Sequence, residues 1–195
     1  IIQRLFNSDD ERIYCIYEAL KRNISIDTIH EITMIDNWFL HKIDHLAHCE
    51  KELTGHRLTD ELYLKAKRMG FLDKTIEKLT RSKIKKHLYP VYKMVDTCAG
   101  EFDAQTPYFY SSYWSQNDST AFINKNKDKK RVIVLGSGPI RIGQGIEFDY
   151  ASVHCVWALK KKGYEVIIVN NNPETVSTDF DTADRLYFEP LSPED

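Results

Sequence analysis

The chain has 195 residues, enough for one large or two small domains that each bury a core. A hydrophobic content of 42%, a charged content of 29% and a net charge of -2 describe an ordinary globular protein with no global pull toward nucleic acid or an anionic membrane. Four scattered cysteines (Cys15, Cys49, Cys98, Cys155) form no CxxC pair, which argues against a zinc finger or a disulfide framework and fits a reducing compartment. No apolar run approaches the roughly 20 residues that span a bilayer.

Residues 8 to 88 read as short capped helices. Ser8 and Glu11 have the spacing of a capping box before a face of Ile13, Ile16, Tyr17 and Leu20. Ser25 is placed to cap a helix carrying Ile26, Ile29 and Ile32. Asp36 starts a longer one with Phe39, Ile43, Leu46 and Leu53 aligned, and Gly55 ends it. Thr59 opens another helix that Gly70 closes, Asp73 opens the next, and Pro90 stops the pattern. His41, His45 and His48, with Cys49, resemble a metal-ligand row, but they fall opposite the apolar face and no second ligand set accompanies them, so no metal is assigned. The basic stretch from Lys65 to His87 has a helix-turn-helix look. Asp73 and Glu77 interrupt it, and a solvated helix exterior is the preferred reading, with no nucleic-acid partner.

From Val91 to Trp114 the composition turns β-favouring and aromatic, and reads as extended chain lying against other structure. The lysine-rich stretch from Gln116 to Lys130 reads as a linker. Val132 to Leu135 then forms a continuous apolar run suited to a buried parallel strand. A helix follows from about Asp149 to Lys162, closed by three lysines and Gly163. Val166 to Val169 and Leu186 to Phe188 give two further strands. The expected organisation is an all-α domain over 1–115, a linker over 116–130 and a truncated parallel α/β domain over 131–195.

Between the first of these strands and its helix lies Gly136-Ser137-Gly138-Pro139-Ile140-Arg141-Ile142-Gly143-Gln144-Gly145. Open α/β sheets place ligands at this edge. The loop is not the dinucleotide fingerprint, because four residues separate Gly138 from Gly143, and it is not a P-loop, because Gln144 stands where lysine is required. Gly136, Gly138 and Gly143 are therefore read either as an anion cradle or as a structural strand-to-helix turn. Arg141, Glu147 and Asp149, with Asn170, Asn172, Glu174 and Thr175 of the next strand's loop, should converge here. Capping is the simpler role for Asp149 and for the turn at Asn172-Pro173.

The strings VYKMVDTCAGEFDAQTPYFYSSY (Val91 to Tyr113), LGSGPIRIGQGIEFDYASVH (Leu135 to His154) and NNNPETVSTDFDTADRLYFEPLSPED (Asn170 to Asp195) closely resemble the large chain of carbamoyl-phosphate synthase. The helical stretches ERIYCIYEALKR, SIDTIHEITMIDNWFL and KAKRMGFLDKTIEKL follow the family in the same order, with Leu72 where the family often has a capping serine. The resemblance implies a helical oligomerisation domain followed by the start of a Rossmann-like pre-ATP-grasp subdomain of the second half. The chain opens Ile-Ile-Gln and stops within the α/β pattern, so it reads as a segment of a longer enzyme. By resemblance that enzyme makes carbamoyl phosphate from bicarbonate, glutamine-derived ammonia and two ATP, for pyrimidine or arginine synthesis. It uses Mg2+ or Mn2+ with ATP, held by residues beyond Asp195. The resemblance places Arg141, Gly145, Glu147 and Glu174 on the wall of a carbamate tunnel and puts no catalytic residue in this segment. The implied partners are the rest of the large chain, a glutaminase subunit or domain and further copies of the chain. The implied location is the cytoplasm, with mitochondria as the alternative. Tyr108, Phe109, Tyr110, Tyr113 and Trp114 are read as interface anchors or as packing within the chain. A stand-alone oligomerisation module without catalysis is the competing reading.

Overall fold

A computed structural model describes residues 1–125, 128–145 and 147–194. The chain divides into two units, Ile1–His87 and Leu88–Asp195. The first is all helix: α1 (Ile2–Phe6), α2 (Arg12–Lys21), α3 (Ile26–Thr33), α4 (Asn37–Gly55), α5 (Asp60–Arg68) and α6 (Asp73–Thr80). Its caps follow local chemistry. The side chains of Ser25, Asp36 and Thr59 accept from the backbone N–H groups of Thr28, Trp38 and Leu62. Gly70, at φ 85°, closes α5, and the Phe71 N–H returns to the Ala66 carbonyl.

Three expectations change. The capping box before α2 does not form: Glu11 is the N-cap without a side-chain bond, its own N–H donates to Asp9, and the Ser8 hydroxyl instead accepts from Arg12. The buried face of α2 is Cys15, Ile16, Ala19 and Leu20, leaving Ile13 exposed. Leu40, Ala47 and Leu53 take the interior of α4, and Phe39 is exposed. These differences turn each buried face by less than one position, which periodicity alone does not resolve. Cys15 to Leu20 meet Leu5, Ile29, Leu40 and Ala47 in one cluster. His41, His45 and His48 are exposed while Cys49 is buried.

Polar groups stitch the helices together. The Tyr17 hydroxyl and Lys21 Nζ (2.6 Å) both donate to Glu50 across α2 and α4. Burial and this carboxylate push the Tyr17 hydroxyl far above its usual range. Leu72 gives α6 no side-chain cap, and Asp73 beside it serves as a hub, accepting from Tyr63 (2.9 Å) and His87 (2.7 Å) and pairing with the buried Lys67 at 3.2 Å. Burial alone would raise the Asp73 pKa, but the His87, Tyr63 and Lys67 bonds outweigh it and hold the carboxyl below its ordinary range. Asp73 therefore contributes stability that is present above the unfolded value of about 4 and is lost as pH falls through the lower folded value. Asp73→Asn takes the negative charge away from the buried Lys67. It should cost about 3 kcal/mol at neutral pH, with that loss shrinking in denaturant titrations below about pH 4.

The second unit holds β1 (Val91–Met94), β2 (Tyr108–Ser112), α7 (Ser119–Lys125), β3 (Arg131–Leu135), α8 (Glu147–Lys161), β4 (Glu165–Asn170) and β5 (Arg185–Phe188). The strands form one sheet in the order β1-β2-β5-β4-β3, antiparallel between β1 and β2 and parallel elsewhere. The architecture is thus helical, then α/β. The aromatic segment read as extended chain is strand β2, and α7 falls within the stretch read as a linker, of which Asn126 and Lys127 lie outside the described residues. The non-local pairing of β2 with β5, Tyr108 to Leu186 and Phe109 to Tyr187, places the aromatic segment in the sheet. Phe109 is fully buried, stacked on Tyr187 and edge-on to Phe122, whereas Tyr110 and Trp114 remain exposed.

On one side of the sheet Val156 of α8 packs with Val166, Ile168 and Leu186. β3 is an edge strand with Ile133 and Leu135 exposed, not the fully buried strand that its apolar run suggests. At the start of the parallel strands, Glu165 Oε2 accepts from Arg131 Nε at 2.7 Å and its Oε1 lies 3.1 Å from Arg185 Nη2. Gly163, at φ 85°, closes α8 as expected. No helix among the described residues is long and apolar enough to cross a membrane.

Candidate functional site

The parallel strands β3 and β4 carry their following loops to the same sheet edge, because Leu135 pairs with Val169 at the carboxyl ends. Asn170, the last residue of β4 and fully buried, organises both loops. Its Oδ1 accepts from the Gly138 N–H (3.2 Å) and the Asn172 N–H (3.3 Å), and its Nδ2 reaches Ser177 Oγ at 3.4 Å. The close packing explains the first glycine. A Cβ on Gly136 would stand 2.6 Å from Asn170 Nδ2 and 2.7 Å from its Cβ. Gly136→Ala should lower the stability of the α/β unit by about 2 kcal/mol, read from the midpoint of its denaturant transition. Gly138 and Gly143 answer a different need, with φ of 72° and 88°, a region costly for other residues. The glycines thus shape the turn itself. The structure gives Gly136 a packing role and Gly138 and Gly143 a conformational one.

Asp149 is not the N-cap of α8. It lies in the first turn of the helix, 4% exposed, and its Oδ2 accepts from Thr175 Oγ1 and from the Ser177 N–H at 2.7 Å. This joins α8 to the loop after β4, where Val176–Thr178 form a 3-10 turn. Sequence reading named Asp149 and Thr175 but not their contact, since their separation of 26 residues gives no local signal. Ser177, 28 residues from Asp149, carries no sequence signal of this role either.

Of the four tunnel candidates, Gly145 and Glu147 meet directly. The Gly145 N–H donates to Glu147 Oε1 at 2.9 Å, and a Cβ on Gly145 would lie 2.6 Å from Glu147 Oε2. That backbone bond, with one from Glu147's own N–H, holds the exposed carboxyl below its ordinary pKa, so it is an anion at neutral pH. Arg141 is exposed, with its N–H donating to Gln144 Oε1 at 2.8 Å, and its guanidinium has no partner among the described residues. Glu174 is exposed, with its N–H on Asn172 Oδ1 at 3.0 Å. Ile146 lies outside the described residues. The edge therefore presents two carboxylates and one free guanidinium on loops fixed from below by Asn170 and Asp149. Such an edge can hold a small polar species through hydrogen bonds of both senses. Among the described residues no three His, Cys, Asp or Glu side chains converge as a metal site.

The chain is of the class with a helical unit followed by an α/β unit, whose sheet is mixed and mostly parallel with glycine-shaped loops at its carboxyl edge. Residues 1–89 match the family model described as carbamoyl-phosphate synthetase large chain, oligomerisation domain, and residues 128–195 match the carbamoyl phosphate synthase preATP-grasp domain. The carbamoyl phosphate synthase large chain of Lachnoclostridium phytofermentans is 54% identical over 100% of this chain, and that of Clostridium acetobutylicum is 51% identical over 98%. The chain belongs to the carbamoyl phosphate synthase large-chain family. It spans about a fifth of the length of these relatives, 19% and 18%.

Proposed function

We propose that this chain is a central segment of an enzyme that makes carbamoyl phosphate from bicarbonate, glutamine-derived ammonia and two ATP. The observation that carries this reading is the 54% identity to one large chain, which runs through both matched domains and the stretch between them. The helical unit serves as spacer and oligomer contact. The α/β unit is the Rossmann-like opening of the second half, which phosphorylates carbamate. ATP and its Mg2+ or Mn2+ are bound elsewhere in the longer chain, and the segment alone is inactive.

Carbamate decomposes readily in water, so a synthase gains by passing it internally from the half that forms it to the half that phosphorylates it. Arg141, Gly145, Glu147 and Glu174 form the receiving wall. Carbamate offers N–H donors to Glu147 and Glu174 and a carboxylate to Arg141, and the direct contact of Gly145 with Glu147 supports a wall built around a residue without a side chain. The working partners are the two flanking halves, a glutaminase subunit or domain, and a second copy of the chain, in the cytoplasm. The complete reading frame, expressed and supplied with bicarbonate, ATP and ammonia, should form carbamoyl phosphate. Absence of that product from a folded full-length protein would overturn the reading.

A further inference from the structure

We infer that Asp149 is a positioning residue for the carbamate wall: its carboxylate latches the loop after β4 to the first turn of α8, and so sets where Glu174 stands relative to Glu147. This rests on the tunnel reading above. Asp149 is 4% exposed, yet no lysine or arginine pairs with it among the described residues, and its Oδ1 is buried without a hydrogen-bond partner there. An anion so placed is costly unless other donors compensate. The compensation comes from the amino end of α8 and from two donors on one short segment, Thr175 Oγ1 and the Ser177 N–H. Charge-assisted bonds of this kind are stronger and more directional than neutral ones.

The position of the latch in the sequence gives it its purpose. Thr175 directly follows Glu174, and Asp149 comes two residues after Glu147. One carboxylate therefore ties together the residues next to both wall carboxylates. Glu147 is already anchored by the Gly145 N–H, whereas Glu174 is held through its own N–H on Asn172 Oδ1. Without Asp149, the Glu174 side of the wall loses its tie to α8 and is held by the Asn170 and Asn172 contacts beneath it, with Tyr108 on the Thr178 carbonyl and Thr182 on the Val176 carbonyl further along the loop.

The test uses the full-length enzyme with Asp149→Ala, Thr175→Val and Gly145→Phe. Three quantities are read: carbamoyl phosphate formed per ATP cleaved, ATP formed from carbamoyl phosphate and ADP, and hydrogen exchange at the Ser177 amide. Asp149→Ala should speed exchange at Ser177 and lower the yield per ATP about tenfold, less than the roughly hundredfold that a misplacement of about 1 Å can cost, while ATP formation stays within about twofold. Thr175→Val keeps the Ser177 bond and should lower the yield by a smaller factor. An unchanged yield despite a loosened Ser177 amide would make Asp149 a purely structural residue and overturn the proposal. A parallel loss of yield and ATP formation would do the same. If Asp149→Ala does not fold, Thr175→Val decides, and full coupling in that variant counts against the latch. Gly145→Phe remaining coupled would instead remove the tunnel reading, and with it the premise of the latch, whatever the Ser177 amide shows.

Discussion

Gly145→Phe in the full-length chain should lower the yield of carbamoyl phosphate per ATP cleaved by at least about tenfold, with bicarbonate-dependent ATP cleavage continuing. The reason is steric and local. Even a methyl group at 145 would stand 2.6 Å from Glu147 Oε2, so a benzyl group must displace that carboxylate from its bond to the residue-145 N–H and project along the loop edge. On the proposed function, the first half of the enzyme should keep its chemistry while its product fails to reach the second half intact. Gly145→Ala should show a smaller effect in the same direction. Gly143→Ala offers a contrast, since its Cβ would meet nothing within 4 Å and the penalty lies in the backbone at φ 88°.

The second large effect is on stability. Glu165 is 1% exposed and faces Arg185, whose side chain is 4% exposed, and Arg131, whose side chain is 37% exposed. Glu165→Gln leaves the Arg185 guanidinium buried without its counter-charge at the point where β3, β4 and β5 begin, and should cost about 3–5 kcal/mol. Arg131→Met should cost less, because its guanidinium is the more exposed of the two and Glu165 keeps its pairing with the buried Arg185. Urea denaturation of the chain separates the two cases. Equal losses would mean that the pair contributes through packing and not through charge.

The parts of the fold that sequence reveals are those settled within a few residues. Ser25, Asp36 and Thr59 cap as their spacing suggests because each acceptor and donor lie on the same turn. Gly163 stops α8 through its own backbone conformation. Ser8 and Glu11 have an equally good spacing, yet Arg12 recruits the serine hydroxyl, a competition that no local pattern reports. Strand β2 gains its identity from β5, more than 70 residues further on. The site divides in the same way. Gly136, Gly138, Gly143 and Gly145 are visible as glycines in a strand-to-helix loop, and the bond between Gly145 and Glu147 is short-range. What holds the loops in place is long-range: Asn170 under Gly138, and Asp149 under Thr175 and Ser177. Buried polar residues of this kind look like ordinary caps or turn formers until their partners are known.

The central claim is that carbamate reaches the second half from within, along the wall formed here. The most direct measurement follows label from 13C-bicarbonate into carbamoyl phosphate while unlabelled carbamate is added to the medium, in the full-length enzyme and in Gly145→Phe. Carbamate releases bicarbonate as it decomposes, so the label of the bicarbonate pool is read alongside that of the product. Internal passage predicts that the product of the unmodified enzyme carries the label of that pool, while the residual product of Gly145→Phe carries less. Product of the unmodified enzyme labelled below the bicarbonate pool, in proportion to the carbamate added, would contradict the account.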